Sequence, residues 1–476
     1  MPDYQYVVLD TTRDQFLGIE RGAMGSTSVL TLTVASSAEG GELHLMPVGV
    51  VGEWDTLDSP LLPYPIEAAG AVFYAEPEAP YRQRIYLLGG YKASVPAERL
   101  DTVYTCDVQA DGSLSEWTLQ TFRLPRRLSS LAAALSTVDM YGEPITPTIY
   151  VLGGKYPGGV SEEIYYAHID PATLDVGEWQ TSAYGLGDQR LGLSVVANKG
   201  YLYAIGGFDG VSRYSAAVWH FPLGSDGAPI GRFVDPNLPG EPNDNANAAY
   251  HQTVLLPAVS PYLTDTLYVI GGYNSTSSTP RVLRGDIDPN LGYVQEWVDV
   301  GIDDLPNALS AFSGSLGDPQ GAGRQLDIVG GDLGVDGGNP QQAVRSAVVN
   351  DADNGFYDWY GGVWLTSPVL PAPRYRHAAV VTGDYLYAIG GRGLGSDYYS
   401  NVLRGNLVGT GASHYVPAGS FLSRVIDLGQ KYRLGQLQWE STITVTHPGI
   451  SLTLQFRAGN KPDPVSYTHL RAHETP

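Results

Sequence analysis

Leu202-Tyr203-Ala204-Ile205-Gly206-Gly207 is one of six copies of a pattern, apolar–Tyr–apolar–apolar–Gly–Gly, that recurs through most of the 476-residue chain. The same pattern fills 85–90, 149–154, 267–272 and 386–391. A weaker copy, Leu326-Asp327-Ile328-Val329-Gly330-Gly331, has Asp where the others have Tyr. The first glycines of the copies, Gly89, Gly153, Gly206, Gly271, Gly330 and Gly390, stand 53 to 65 residues apart. Self-similarity at a near-fixed period signals a repeat architecture, in which one supersecondary unit is copied along the chain.

Two further marks keep step with the first. Trp117, Trp179, Phe233, Trp297, Trp359 and Tyr415 follow the first glycine of their repeats by 25 to 29 residues. Pro125-Arg126, Arg190 and Pro373-Arg374-Tyr375-Arg376-His377 each precede an apolar strand such as Ala378-Ala379-Val380-Val381. Together these marks resemble kelch repeats over 55–418. The resemblance implies an all-β, six-bladed kelch β-propeller, whose four-stranded blades pack face to face around a channel because none can bury both faces alone. The glycine pair would leave an inner strand through a turn with positive φ, where a Cβ clashes. The spaced aromatic would fill the gap between blades. Turn sequences such as Ala110-Asp111-Gly112, Asp170-Pro171-Ala172 and Asp288-Pro289-Asn290 would separate third and fourth strands.

A propeller must close its ring. Glu53-Trp54 repeats the ending of Glu116-Trp117, Glu178-Trp179 and Glu296-Trp297, so 1–54 is read as N-terminal strands whose segment from Leu43 to Trp54 completes the sixth blade with 375–405. A degenerate seventh blade built from 1–54 is the alternative. Beyond the propeller, 419–464 opens a new strand pattern that resembles the first half of a β-sandwich module. Residues 465–476 fit neither pattern and are set aside as a foreign tail.

Composition narrows the function. Formal net charge is −22 with no run of Lys or Arg, which argues against nucleic acid and anionic membranes as partners. No apolar stretch approaches the roughly 18 residues that a membrane span needs. Cys106 is the only cysteine, so an intrachain disulfide and multi-thiolate metal sites are excluded. The N-terminal residues show no secretory signal pattern.

Chemical signatures are few. Gly391-Arg392-Gly393-Leu394-Gly395 follows a strand with no helix to receive a phosphate and reads as a turn. Asp351-Ala352-Asp353-Asn354-Gly355 resembles a calcium loop, but its glycine comes early and Gly362 stands where a bidentate Glu belongs. Copper oxidases on kelch propellers, galactose oxidase among them, need a cysteine beside the channel, and Cys106 falls on a third strand. No metal and no cofactor are expected. Asn274-Ser275-Thr276 is a glycosylation sequon, relevant only in a secretory setting.

The remaining candidates are basic. By resemblance, Arg126, Arg190 and Arg374 fall where kelch propellers line one channel mouth, with His251 and His377 three residues past that register. Arginines converging there would bind a carboxylate or acidic peptide in bidentate fashion; alternatively they pair with carboxylates inside the blades. The polar, glycine-rich loops 207–214 and 331–343 add recognition surface. The expectation is a non-enzymatic, monomeric scaffold that binds a protein or glycan outside or on the cell, with a cytoplasmic location left open. The alternative is a carbohydrate-active propeller resembling N-acetylneuraminate epimerase, which would set a carboxylate opposite Arg190 or Arg374.

Overall fold

The computed structural model describes residues 51–57, 60–78, 81–239, 249–259, 263–274, 277–301, 304–317, 324–334, 337–350, 353–356 and 363–407. It also gives the backbone of four short strands at 47–48, 414–415, 453–458 and 468–473. Among these residues there is strand and turn but no helix, so no helix is long and apolar enough to cross a membrane. One compact unit spans Leu45–Ala418.

Among the described residues that unit contains six larger antiparallel sheets. Five have four strands, and in the fifth sheet the third strand pairs two short outer ones. The innermost strands are Gly70–Ala75, Ala132–Val138, Ser194–Asn198, Gln252–Leu256, Ser313–Gly317 and Ala378–Thr382. Each touches its two neighbours, and the last touches the first, which closes a ring. The second strands carry the repeated motif and are nearly fully buried, as in Tyr201–Ile205 and Thr266–Ile270. Burial on both faces explains why these strands read as continuous apolar runs rather than alternating ones.

The core lies between sheets. Six apolar clusters each draw on two neighbouring sheets; Leu152, Ile164 and Tyr166 of the second, for instance, pack on Leu202, Ala204 and Phe221 of the third. The cluster joining the fifth and sixth sheets, with Val329, Val344, Leu386 and Leu403, has the fewest buried members among the described residues.

Tyrosine at the second motif position ties each sheet to the next. The buried hydroxyls of Tyr86, Tyr150, Tyr203, Tyr268 and Tyr387 donate to the carbonyls of Leu174, Gly227, Gly292, Asn354 and Gly112, at 2.6–2.8 Å. Every acceptor lies in the turn between the third and fourth strands of the following sheet. The phenol spans the interface with its ring and satisfies a carbonyl with its hydroxyl, so both ends of the side chain are used. Asp327 holds this place in the fifth sheet and makes no such tie; its Oδ1 accepts from Gln325 Nε2 and Ser346 Oγ within its own sheet.

The glycine pair works as a second fastener. All six first glycines have φ of 59–65° and all six second glycines 94–111°. A Cβ on Gly153 would strike the Arg190 carbonyl oxygen of the next sheet, while the Gly154 amide donates to that same oxygen.

Closure comes from the N-terminal side. Trp54–Leu57 is the outermost strand of the sixth sheet, with Trp54 opposite Gly405 as Trp297 is opposite Gly285. Both indoles donate to a proline carbonyl of the preceding sheet, Trp54 to Pro368 at 3.1 Å and Trp297 to Pro236 at 3.0 Å. Trp54, not Tyr415, therefore supplies the spaced aromatic of the sixth sheet; the backbone of Tyr415 pairs instead with Pro47. Trp359 and all of 1–46, where a seventh blade would begin, lie outside the described residues. So does most of 419–464. Within it Thr453–Ala458 pairs antiparallel with Thr468–His473 of the stretch set aside as a tail.

Candidate functional site

All six innermost strands start at the same end of the channel, and the glycine pairs end the second strands there too. Two residues before each innermost strand stands a residue in the left-handed region: Ala68, Ser130, Gly192, Tyr250, Ala311 and Arg376, with φ of 51–60°. Their backbones form a closed, one-directional collar. Ala68 N donates to Arg376 O, Ser130 N to Ala68 O, Gly192 N to Ser130 O, Tyr250 N to Gly192 O, Ala311 N to Tyr250 O, and Arg376 N to Ala311 O, all at 2.7–2.9 Å. Positive φ costs a non-glycine residue roughly 1–2 kcal/mol, and the collar bonds hold it in place. None of the six is β-branched.

Because the collar is closed by backbone alone, its side chains are not what joins it. Tyr250 lies over Gly192, where an added Cβ would come within 2.9 Å of its ring. Arg376 reaches across Ala311 to put its guanidinium 5.3 Å from the centre of the Tyr250 ring and 5.7 Å from that of Tyr375. Each cation–π contact of this kind contributes about 0.5–1 kcal/mol near a surface.

The next tier is the residue after each glycine pair: Tyr91, Lys155, Phe208, Tyr273, Asp332 and Arg392, each bridged to the residue preceding its collar position. Arg392 stacks 5.0 Å from Tyr398 and donates to Gly395 O. Arg99 lies 5.8 Å from the Tyr91 ring, and Phe208, Tyr214 and Tyr273 form an aromatic run. Asp332 is buried and spent on its loop, accepting from the amides of Gly334, Gly337 and Asn339. Asp209 does the same for Val211, Ser212 and Arg213. The mouth of this strongly acidic chain thus presents arginine, lysine and tyrosine, while Asp209 and Asp332 are engaged by the amides of their own loops.

The arginines singled out by sequence sit elsewhere. Arg190 and Arg374 are each 1% exposed. Arg190 pairs with Asp188 at 2.9 Å, donates to Gln189 O and lies 5.4 Å from the Trp219 ring. Arg374 donates to Gly390 O and to Asn401 Oδ1, with its guanidinium 4.3 Å from the Tyr399 ring. Their carbonyls accept from Gly154 and Gly331 of the preceding sheet, so their backbones fasten sheets together while their side chains bond within their own sheet. Arg126 is out of register, because the equivalent carbonyl in the second sheet belongs to Leu128. Its side chain is 42% exposed and sits over Tyr156, 4.0 Å from Glu163. The three arginines share no partner and do not converge on one cavity. By the same register the fifth sheet has Leu309 at this place.

His251 and His377 take the position that is Leu131, Leu193 and Phe312 in other sheets, packed beneath Gly272 and Gly391. Burial drives their pKa down, to about 4 for His251 and, with help from the Arg374 charge, to about 3 for His377. Both imidazoles are neutral at physiological pH. Ser194 Oγ bonds His251 Nε2 at 2.8 Å inside the wall between sheets.

Cys106 is buried on Val103–Asp107, opposite Ile85, and burial pushes its thiol pKa up. Asn354, from the stretch resembling a calcium loop, is buried and accepts from Arg324 and from the Tyr268 hydroxyl; Asp351 and Gly362 lie outside the described residues. Among the described residues no group of three or more His, Cys, Asp or Glu is arranged to hold a metal. The channel contains a cavity of about 300 Å³ lined by residues of the innermost strands, among them Phe73, Val196, Thr253, Leu255, Ser315 and Leu316.

Sequence reasoning missed Arg376, Tyr250 and Arg392. The available signal was Gly192: glycine at a fixed step before an inner strand marks a position needing positive φ, and the same step in other repeats gives Tyr250 and Arg376.

Comparison with known proteins agrees with this architecture. The Kelch motif family model matches residues 189–221, which contain Arg190, the third glycine pair and Trp219. The solved structure of YjhT is similar, with a TM-score of 0.50 and 14% identity, over 72% of this chain and 95% of that one. No curated protein matches in sequence. The chain is a kelch-repeat β-propeller. Since 295 solved chains resemble it, the fold alone selects no activity.

Proposed function

We propose that this propeller is a binding scaffold that recognises a protein or glycan carrying negative charge through the collar and the loops after the glycine pairs. The carrying observation is Arg376, held over Tyr250 on a collar that needs neither side chain for its own backbone bonding. Arg392, Lys155 and Arg99 add positive charge around it, and the tyrosines offer faces for sugar rings or apolar side chains. Loops pre-set by Asp209 and Asp332 keep the ordering cost of binding low. The carbohydrate-active alternative gains no support from the geometry. The carboxylate beside Arg190 is Asp188 of its own loop, and Arg374 meets neutral acceptors.

The test is a binding screen of the purified chain against acidic and neutral glycans and acidic peptides, with Arg376→Ala and Tyr250→Ala beside it. The reading expects a ligand whose affinity falls at least tenfold in Arg376→Ala while the protein stays folded, its melting temperature lowered by no more than about 4 °C for the lost cation–π contacts. A ligand bound equally well by both variants would move recognition away from the collar.

A further inference from the structure

The third and sixth sheets carry the same buried arginine in different company. In the third, Asp188-Gln189-Arg190 supplies a carboxylate two residues ahead, and Arg190 Nη2 bonds it at 2.9 Å. In the sixth the same stretch reads Ala372-Pro373-Arg374, and the carboxylate is gone. The polar partners of Arg374 are Gly390 O and Asn401 Oδ1, both uncharged. A second change accompanies the first. Three residues on, Leu193 of the third sheet becomes His377 in the sixth. Arg374 Nε is buried without a hydrogen-bond partner, as Arg190 Nε is in the third sheet, but in the sixth both ring nitrogens of His377 are unpartnered as well.

A fully buried cation without a counter-charge, next to an imidazole with unused polar atoms, is an arrangement that folding alone disfavours. Arg374 cannot shed its proton to escape, although burial does pull its pKa down to about 10. The neutral imidazole has one N–H to give. From these residues we infer that the wall between the fifth and sixth sheets holds a small inorganic anion of the halide class, bound by Arg374 Nε–H and a ring N–H of His377. The pair of changes from Asp188 and Leu193 to Ala372 and His377 then has one explanation: the carboxylate built into the third sheet is replaced in the sixth by an anion taken from solution. A ligand carboxylate does not reach this site, since Arg374 is 1% exposed. The site is therefore separate from the collar, and the inference stands whether or not the collar binds anything.

Thermal unfolding of the full chain in potassium chloride, compared with potassium gluconate at equal ionic strength, tests the site. Binding to the native state alone gives a melting temperature that climbs by roughly 2 °C for each tenfold rise in chloride above half-saturation. His377→Leu places the side chain found at Leu131 and Leu193 in the same position, so it is expected to fold and to lose the chloride-specific part of the shift. Crystals of the wild type grown in bromide should show an anomalous peak between Arg374 Nε and the His377 ring. Equal melting curves in the two salts would overturn the inference, as would a shift that survives in His377→Leu. A water molecule alone at the peak position would overturn it as well.

Discussion

Replacing Asp327 with asparagine should change how stability depends on pH, and by an amount the structure allows one to work out. Asp327 is fully buried, takes two hydrogen bonds on Oδ1, and has no partner for Oδ2. Burial raises its pKa to about 7, against the opposing pull of the bonds from Ser346 and Gln325. In the unfolded chain the same group titrates near 3.9, roughly the free value. Between those two values the native state binds a proton that the unfolded state has released, so stability falls as pH rises from about 4 to about 7 and then levels. Three pH units at 1.36 kcal/mol each set an upper limit of about 4 kcal/mol. Asparagine has nothing to ionise and keeps the acceptor for Ser346 and Gln325. Urea unfolding of both proteins from pH 4.5 to 8.5 should show curves that converge at the acid end. The Asp327→Asn variant should lead by about 2–4 kcal/mol at pH 8, with the gap opening below pH 7 and constant above it. Parallel curves across the range would refute the reasoning, because they would mean the carboxyl ionises in the folded protein as easily as in the unfolded one.

Other substitutions probe the fasteners. Tyr150→Phe leaves the Gly227 carbonyl without its buried donor and should cost about 1–2 kcal/mol in denaturant unfolding; Tyr203→Phe, at the next interface, should add independently. Gly153→Ala sets a Cβ against the Arg190 carbonyl at positive φ, and a loss of more than about 3 kcal/mol, or failure to fold, is expected in expression and melting assays. Trp54→Ala removes the aromatic that closes the ring, with an expected loss of about 3–5 kcal/mol by thermal unfolding. At the collar, Ala68→Gly should be neutral or stabilising by up to about 1 kcal/mol, whereas Ala68→Val should destabilise, since a β-branched residue resists positive φ.

The motif positions were legible because folding repeats them. Tyr86, Tyr150, Tyr203, Tyr268 and Tyr387 recur because each interface needs the same phenol across it, and the glycine pairs recur because each exit turn needs the same positive φ. The exceptions were visible in the sequence too, but their meaning was not. Asp327 read as a weak copy; only the burial of its carboxylate shows that it exchanges a tie between sheets for a titratable group. Glu53-Trp54 could be matched to the other Glu-Trp endings, yet the choice between Trp54 and Tyr415 needed the pairing of Trp54 with Gly405. The arginine mark misled for a physical reason. Arginine before an inner strand suggests a charge at the mouth, but the register set by the glycine amides turns Arg190 and Arg374 into the wall and excludes Arg126 altogether.

What separates the two kinds of arginine is where each stands relative to the backbone bonds that join the sheets. Arg190 and Arg374 are buried in the wall, and their guanidinium groups bond to Asp188, Gln189, Gly390 and Asn401 of their own sheets. Arg376 sits two residues further along, where the backbone has already made its bond to Ala311. The collar closes equally well on alanine, serine or glycine, as it does at Ala68, Ser130 and Gly192. The backbone bonds of the collar therefore do not dictate which side chain stands at Arg376. Among the six collar positions two carry large side chains, Tyr250 and Arg376, and those two lean toward each other across Ala311 rather than lying scattered around the ring. A repeat fold specifies its scaffold through what stays the same from sheet to sheet and its specificity through what differs. By that criterion the Arg376–Tyr250 side of the mouth is where recognition by this propeller should be sought first.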